Sequence, residues 1–335
     1  MAELSVLGAG GWGTALAVIA NRHGHTVTLW SPFQEEVESI RRHGQHLKLL
    51  PNIAVSPSIR LTADIAAAAR ADLLILAVPS FAVASTARRL RPFVRQDTVI
   101  ANAGKGLEEN SFCRFTEVIE RELPGVTAVA LSGPSHAEEV GRGIPTVVVS
   151  ASHDIAAAQT VQKLLMNPSF RIYTCEDVVG VELGGALKNV IALAAGICDG
   201  LDMGDNTKAA LMTRGLAEIA RLGVSLGANS ATFAGLSGMG DLIVTCGSMH
   251  SRNRRAGILI GQGMPPEEAV KTVGTVEGYF AAKTAFSLSQ KTGVEMPITE
   301  ACYRICYEGF PPERAVSALM QRPCGHEQEG LWLTD

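Results

Sequence analysis

No two cysteines in this 335-residue chain stand as CxxC, and the seven present (Cys113, Cys175, Cys198, Cys246, Cys302, Cys306 and Cys324) are scattered and odd in number. This is no disulfide framework, and it suits a reducing compartment. Cys302 and Cys306 fall four apart, but no His or Asp spacing completes a set of ligands, so no metal is expected. Excess positive charge is also lacking. The formal net charge is −4, which gives no reason to expect nucleic acid or an anionic membrane surface as the main partner. Uninterrupted apolar runs stop short of the roughly 18 to 20 residues that span a bilayer, so no membrane span is expected. The opening "MAELSVLGAGGWGT" lacks a basic stretch and turns to glycine where a secretory signal would stay apolar. The expected location is the cytoplasm.

What the chain does have is length and apolar residues. With 47% hydrophobic and 19% charged residues its composition is that of a globular protein, and 335 residues exceed a typical single core. Two domains are expected. In the first half "ELSVLGAG", "HTVTLW", "DLLILAVPS", "DTVIANAGKG", "AVALSGPS" and "PTVVVSAS" read as strands. Between them "WGTALAVIANRHG", "TADIAAAARA" with Thr62 as N-cap, "STARRLRPFV" and "CRFTEVIERELPG" read as helices. Near-continuous apolar strands separated by helices predict a doubly wound, mostly parallel sheet covered on both faces, an α/β domain over residues 1–176. Strand signals then fade. The long apolar segment "DVVGVELGGALKNVIALAAGICDGLDMG" and the Pro- and Gly-punctuated segments after it predict an all-α domain over 177–335.

Residues 8–15, "GAGGWGTA", place Gly8, Gly10 and Gly13 as GxGxxG behind the first strand and at the start of the first helix. Among 34 glycines the pattern alone means little. In a βαβ unit the three glycines serve, in order, a tight turn, close approach of a pyrophosphate to the backbone, and helix–strand packing. The helix N-terminus adds N–H groups and partial positive charge. A dinucleotide site is therefore expected. The acid that would hold the ribose is missing, however. Ser31 and Pro32 stand in its place, Glu35 and Glu36 come later, and no Arg waits for a 2′-phosphate. Both NAD and NADP are expected to serve, and an Asp at Ser31 would be expected to favour NADH.

Four further stretches carry polar groups that packing does not call for. "NAGKG" puts Lys105 at the carboxyl end of a parallel strand, where open α/β sheets bind ligands, although a solvated loop lysine would look the same. "GALKN" sets Lys188 and Asn189 inside an apolar helix, where a lysine must snorkel, pair or function. "GMGDLIVTC" spaces Asp241 and Thr245 for one helical face. "SRNRR", residues 251–255, is a dense positive cluster; alone it would be a solvated face, but beside a nicotinamide site it suggests an anionic substrate.

In this order, "GAGGWGTA", "NAGKGL", "SGPSHAEEV", "ELGGALKNVIALAAGICDGL", "GMGDLIVTCGSMHSRNRRAG" and "TVEGY" resemble the bacterial NAD(P)-dependent sn-glycerol-3-phosphate dehydrogenases over nearly the whole chain. The resemblance implies a second domain like the C-terminal domain of 6-phosphogluconate dehydrogenase. It implies interconversion of dihydroxyacetone phosphate and glycerol 3-phosphate for glycerophospholipid synthesis, and a homodimer. Lys188 would transfer the proton, with Asp241 beside it as the second catalytic residue. Lys105, Gly133, Ser135, Lys188, Asn189, Asp241, Thr245, Ser251, Arg252 and Asn253 would meet the substrate, Arg252 gripping its phosphate. Gly8, Gly10, Gly11, Trp12, Gly13, Pro32, Lys105, Ala137, Arg252, Thr275 and Glu277 would meet the cofactor. His136 departs from the family's bulky residue and reads as a packing variant. Two rivals stay open: a dehydrogenase of 3-hydroxy acids or sugar acids on the same architecture, and a non-catalytic nucleotide sensor.

Overall fold

The computed structural model describes residues 1–323; Cys324 and the end of the expected second domain lie outside the described residues. The chain forms two compact units, Met1–Glu108 with Cys113–Val178, and Glu109–Phe112 with the chain from Val179 onward.

The first unit is built on an eight-stranded sheet of β1 (Glu3–Leu7), β2 (Thr26–Trp30), β3 (Arg60–Thr62), β4 (Leu73–Leu76), β5 (Val99–Asn102), β6 (Thr127–Ser132), β7 (Thr146–Ala151) and β8 (Phe170–Cys175). Its helices are α1 (Gly11–Arg22), α2 (Gln34–His43), α3 (Ile65–Ala68), α4 (Val83–Leu90), α5 (Phe115–Glu122), α6 (Ala137–Arg142) and α7 (Ile155–Leu165). The strand order is β3-β2-β1-β4-β5-β6-β7-β8. Its first six strands have the order of the dinucleotide-binding Rossmann fold, with the switch of direction at β1.

The apolar strands have a simple cause. Along β4, Leu73 and Ile75 enter the core on one face of the sheet while Leu74 and Leu76 enter the other. Both faces are covered, so neither set can be polar.

The mostly parallel sheet is as expected, but α2, α6 and α7 were not among the expected helices, and further details differ. β7 pairs with β6 antiparallel, with Leu131 opposite Ser150, while β7 and β8 are parallel to each other. Thr62 ends β3 and does not cap a helix. Asp64 caps the four-residue α3 instead, its Oδ1 accepting from Ala66 N–H at 2.9 Å. Asp ranks above Thr as an N-cap, and here its carboxylate accepts from the free N–H two residues on. β8 was not expected from "FRIYTC": it is an outer strand on which Phe170 and Ile172 are buried and Arg171 and Tyr173 exposed, so its apolar signal is diluted by alternation.

In the second unit the described helices are α8 (Val178–Gly200), α9 (Gly204–Ser225), α10 (Ser230–Phe233), α11 (Asp241–Gly247), α12 (Arg252–Gly261), α13 (Pro266–Val273), α14 (Glu277–Thr292), α15 (Pro297–Tyr307) and α16 (Pro312–Met320). By length and composition α8 could cross a bilayer, with a mean hydropathy of 1.5, although polar residues interrupt its apolar runs. In this structure 94% of its most apolar 18-residue stretch is buried inside the protein, as suits a central core helix. Spacing by four puts Gly196 and Gly200 on one face of α8, and Gly257 and Gly261 on one face of α12. The two helices touch there: a Cβ on Gly257 would stand 2.8 Å from the Gly196 Cα, and one on Gly200 would stand 2.9 Å from the Gly261 Cα. No larger residue fits either position. This crossing sets the start of α12, and with it the "SRNRR" stretch, against the helix that carries Lys188.

Candidate active site

In the first unit the chain leaves β1 and turns at Gly8, whose φ of +118° suits glycine and whose Cβ would lie 2.6 Å from the Ala77 carbonyl oxygen. Ala77 directly follows β4, so the turn lies at the switch point of the sheet, where such folds bind their ligands. Gly13 packs against the Gly8 carbonyl too closely for any side chain. Gly10 is the N-cap residue of α1, no side chain caps that helix, and a Cβ on Gly10 would meet no protein atom within 4 Å. An uncapped N-terminus reached by a bare backbone fits a pyrophosphate. Gly11 and Trp12 open the same helix, and the Trp12 indole N–H donates to the Ala103 carbonyl at 3.1 Å, which ties the turn to the end of β5.

Lys105, Gly133 and Ser135 come together in this unit. The Lys105 ammonium donates to the Gly133 carbonyl at 2.9 Å, and the Ser135 hydroxyl donates to the same oxygen at 2.8 Å. Ala137 starts α6, and His136 is its N-cap residue, its carbonyl accepting from Glu139 N–H and Val140 N–H. Pro32 lies exposed in the link from β2 to α2.

In the second unit Lys188 is buried at 6% exposure and Asp241 at 1%. The Lys188 ammonium donates to the Asp241 carboxylate and, at 2.6 Å, to the Thr245 hydroxyl. Thr245 donates in turn to the Asp241 carbonyl at 2.5 Å, the i to i+4 contact that helical spacing predicts. A π-helical turn, Leu236–Gly240, leads into Asp241, the first residue of α11. Such turns re-aim the backbone and are common at functional sites. Desolvation of a buried lysine disfavours its ammonium form, while a contacting carboxylate favours it.

Asn189 and Asn253 are buried and joined. Asn253 Nδ2 donates to Asn189 Oδ1 at 2.8 Å, and the Gly278 N–H donates to Asn253 Oδ1 at 2.8 Å. These amides link α8, α12 and the start of α14. Ser251 is the N-cap of α12, its hydroxyl accepting from Arg254 N–H at 3.2 Å. Arg252 is the first residue of that helix and is exposed. Thr275 and Glu277 flank Val276, the N-cap residue of α14.

Sequence reasoning missed one network here. Arg254 Nε donates to Asp199 at 2.7 Å, its Nη1 donates to the Gly247 carbonyl at 2.7 Å, and Lys208 pairs with the second Asp199 oxygen at 2.5 Å. Only the paired four-residue glycine spacings, "GICDG" and "GILIG", hinted that Asp199 and Arg254 would lie on facing helices.

Comparison with known proteins agrees in both units. The profile described as the N-terminus of NAD-dependent glycerol-3-phosphate dehydrogenase matches residues 3–158, and that of its C-terminus matches 177–317. Glycerol-3-phosphate dehydrogenase, NAD(P)+, of Moorella thermoacetica is 54% identical over 334 residues, covering 98% of this chain and 99% of that one. The Desulfitobacterium hafniense protein of the same name is 50% identical, covering 99% of this chain and 95% of that one. The crystal structure of the Coxiella burnetii glycerol-3-phosphate dehydrogenase is similar at a TM-score of 0.92 and 38% identity, covering 96% of this chain and 99% of that one. The chain belongs to the NAD-dependent glycerol-3-phosphate dehydrogenase family.

Proposed function

We propose that Lys188 is the proton-transfer residue of an enzyme that interconverts dihydroxyacetone phosphate and sn-glycerol 3-phosphate with NAD(P)H, supplying glycerol 3-phosphate for glycerophospholipid synthesis. The observation that carries this reading is the buried contact of Lys188 with Asp241 and Thr245. Bound NAD(P)H supplies the hydride. The protein must then manage a proton and the charge that develops on oxygen.

As the ketone is reduced its oxygen becomes negative, so the Lys188 ammonium both stabilises that charge and provides the proton. In the reverse direction the neutral amine accepts the proton from the alcohol. Asp241 and Thr245 fix the Nζ position, and the Asp241 charge offsets that of the ammonium. Arg252 offers a planar fork for the substrate phosphate. Lys105, Gly133, Ser135, Asn189, Thr245, Ser251 and Asn253 complete the substrate contacts. Gly8, Gly10, Gly11, Trp12, Gly13, Pro32, Lys105, Ala137, Arg252, Thr275 and Glu277 serve the cofactor.

In this reading residues 1–176 form the cofactor domain and 177–335 the substrate domain, and the enzyme works in the cytoplasm as a homodimer. Nicotinamide absorbance followed with dihydroxyacetone phosphate, and with 3-hydroxyisobutyrate as the rival substrate, tests the activity. Turnover with the phosphate and none with the hydroxy acid is expected; the reverse result would overturn it.

A further inference from the structure

β2 ends at Trp30, and Ser31 and Pro32 follow where a dinucleotide fold places the acid that holds the adenosine ribose. The structure supplies a carboxylate by another route. Ser31 is fully buried; its hydroxyl accepts from Phe33 N–H at 3.2 Å and donates to the carboxylate of Glu36. That turn brings Glu36, in the first turn of α2, back to the end of the strand.

The other Glu36 oxygen contacts His46 Nε2 at 3.1 Å. His46 Nδ1 accepts from Leu49 N–H at 3.2 Å, so the ring proton sits on Nε2 and is donated to Glu36. The Leu49 carbonyl oxygen lies beside Gly11, where a Cβ would come within 2.6 Å of it. One line of contacts therefore runs from the glycine turn through Leu49 and His46 to Glu36 and Ser31.

The Glu36 side chain keeps 26% of its surface exposed. Hydrogen bonds from His46 and from Ser31 hold its carboxyl below the usual carboxylate range, so it is an anion at neutral pH. Arg41 donates to the Leu61 carbonyl at 2.9 Å, and the Arg89 guanidinium lies 5.0 Å from the centre of the Trp30 ring.

We propose that Glu36, held by Ser31 and His46, is the specificity-determining residue for the cofactor and makes this chain prefer NADH to NADPH. A 2′-hydroxyl can donate to the carboxylate, whereas a 2′-phosphate meets it as a like charge. The inference rests on the reading that the glycine turn binds a dinucleotide. It departs from the mild preference expected from the bare sequence, where Ser31 and Pro32 neither repel nor bind a phosphate. The effect expected of an Asp at Ser31 changes with it: that side chain would be buried against Glu36 and would repel it.

Equilibrium titration of the whole protein with NADH and with NADPH, read by nicotinamide fluorescence, tests this without turnover. The wild type should bind NADH about tenfold more tightly or better, and Glu36→Gln, which keeps shape but loses charge, should bring the two within about threefold, chiefly by tightening NADPH. Ser31→Ala, which frees the carboxylate from its anchor, should narrow the ratio less, and it provides the test if the Gln variant does not fold. A wild type that binds NADPH equally or better overturns the proposal. So does a Glu36→Gln variant that weakens both nucleotides alike, since that marks a purely structural tie. Failure of the wild type to bind either nucleotide overturns the dinucleotide reading, and this inference with it.

Discussion

Thr245 accepts a hydrogen bond from the Lys188 ammonium at 2.6 Å and donates its own to the carbonyl of Asp241 at 2.5 Å. The hydroxyl thus orients the lysine without carrying charge. Thr245→Val removes that bond at nearly constant volume. A hydrogen bond to a charged group is worth about 1.5–3 kcal/mol, so kcat should fall roughly tenfold to a hundredfold, and Thr245→Ser should restore most of it. Unchanged kcat in the Val variant would remove Thr245 from the positioning of Lys188.

The "SRNRR" arginines should separate by role. Arg252→Ala should lower kcat/KM by about two to four decades, from loss of a bidentate grip on phosphate. Arg254 is tied to Asp199 and Gly247, so Arg254→Ala should lower the melting temperature and cost less activity. Arg255 is exposed, and its replacement should do little. Steady-state kinetics beside thermal unfolding of the three variants checks this; equal kinetic losses would mean a diffuse charged patch.

A buried carboxylate away from Lys188 makes stability depend on pH. Glu218, 2% exposed, accepts from Ile298 N–H at 2.7 Å and from Thr299 N–H at 3.2 Å at the start of α15. Burial outweighs these bonds and pushes its carboxyl up to about 7. Between the ordinary carboxyl value and about 7 the folded state holds a proton that the unfolded state has released. Stability from this group is therefore complete in acid and is lost as pH rises toward 7. The loss amounts to about 2–3 kcal/mol between pH 5 and pH 8. Urea unfolding of wild type and Glu218→Gln at both pH values isolates it: the wild type should lose ground against the variant at pH 8. A difference independent of pH would mean that Glu218 stays ionised throughout.

The sequence made the architecture of the first unit legible wherever strands were buried on both faces, as with Leu73 to Leu76, because burial there leaves no polar position. It failed at β3 and β8, where a strand is short or alternates with exposed residues, and on the direction of β7, which no local pattern encodes. Lys188 stood out because a lysine in an apolar helix needs a reason. Its partners lie 53 and 57 positions away, so their contact depends on how the helices pack. Apart from the glycine spacings, nothing marked Asp199, for the same cause: on a helical surface it looks like any solvated acid until Arg254 and Lys208 close on it. Glu36 came too late in sequence for the ribose position, and only the Ser31 turn and the His46 contact bring it back.

If Lys188 moves the proton and the cofactor is held elsewhere, on the turn from Gly8 to Gly13, one substitution should separate turnover from binding. Lys188→Met keeps most of the side-chain volume while removing charge and proton. NADH binding and turnover should be measured on the same preparation, in both reaction directions. Binding close to wild type with turnover lower by several orders of magnitude is the predicted result, since a general acid and its electrostatic contribution are lost together. In the wild type, reduction should fade as pH rises and oxidation as it falls. Near-normal turnover in Lys188→Met would remove Lys188 from proton transfer, and loss of NADH binding along with activity would make it a structural residue.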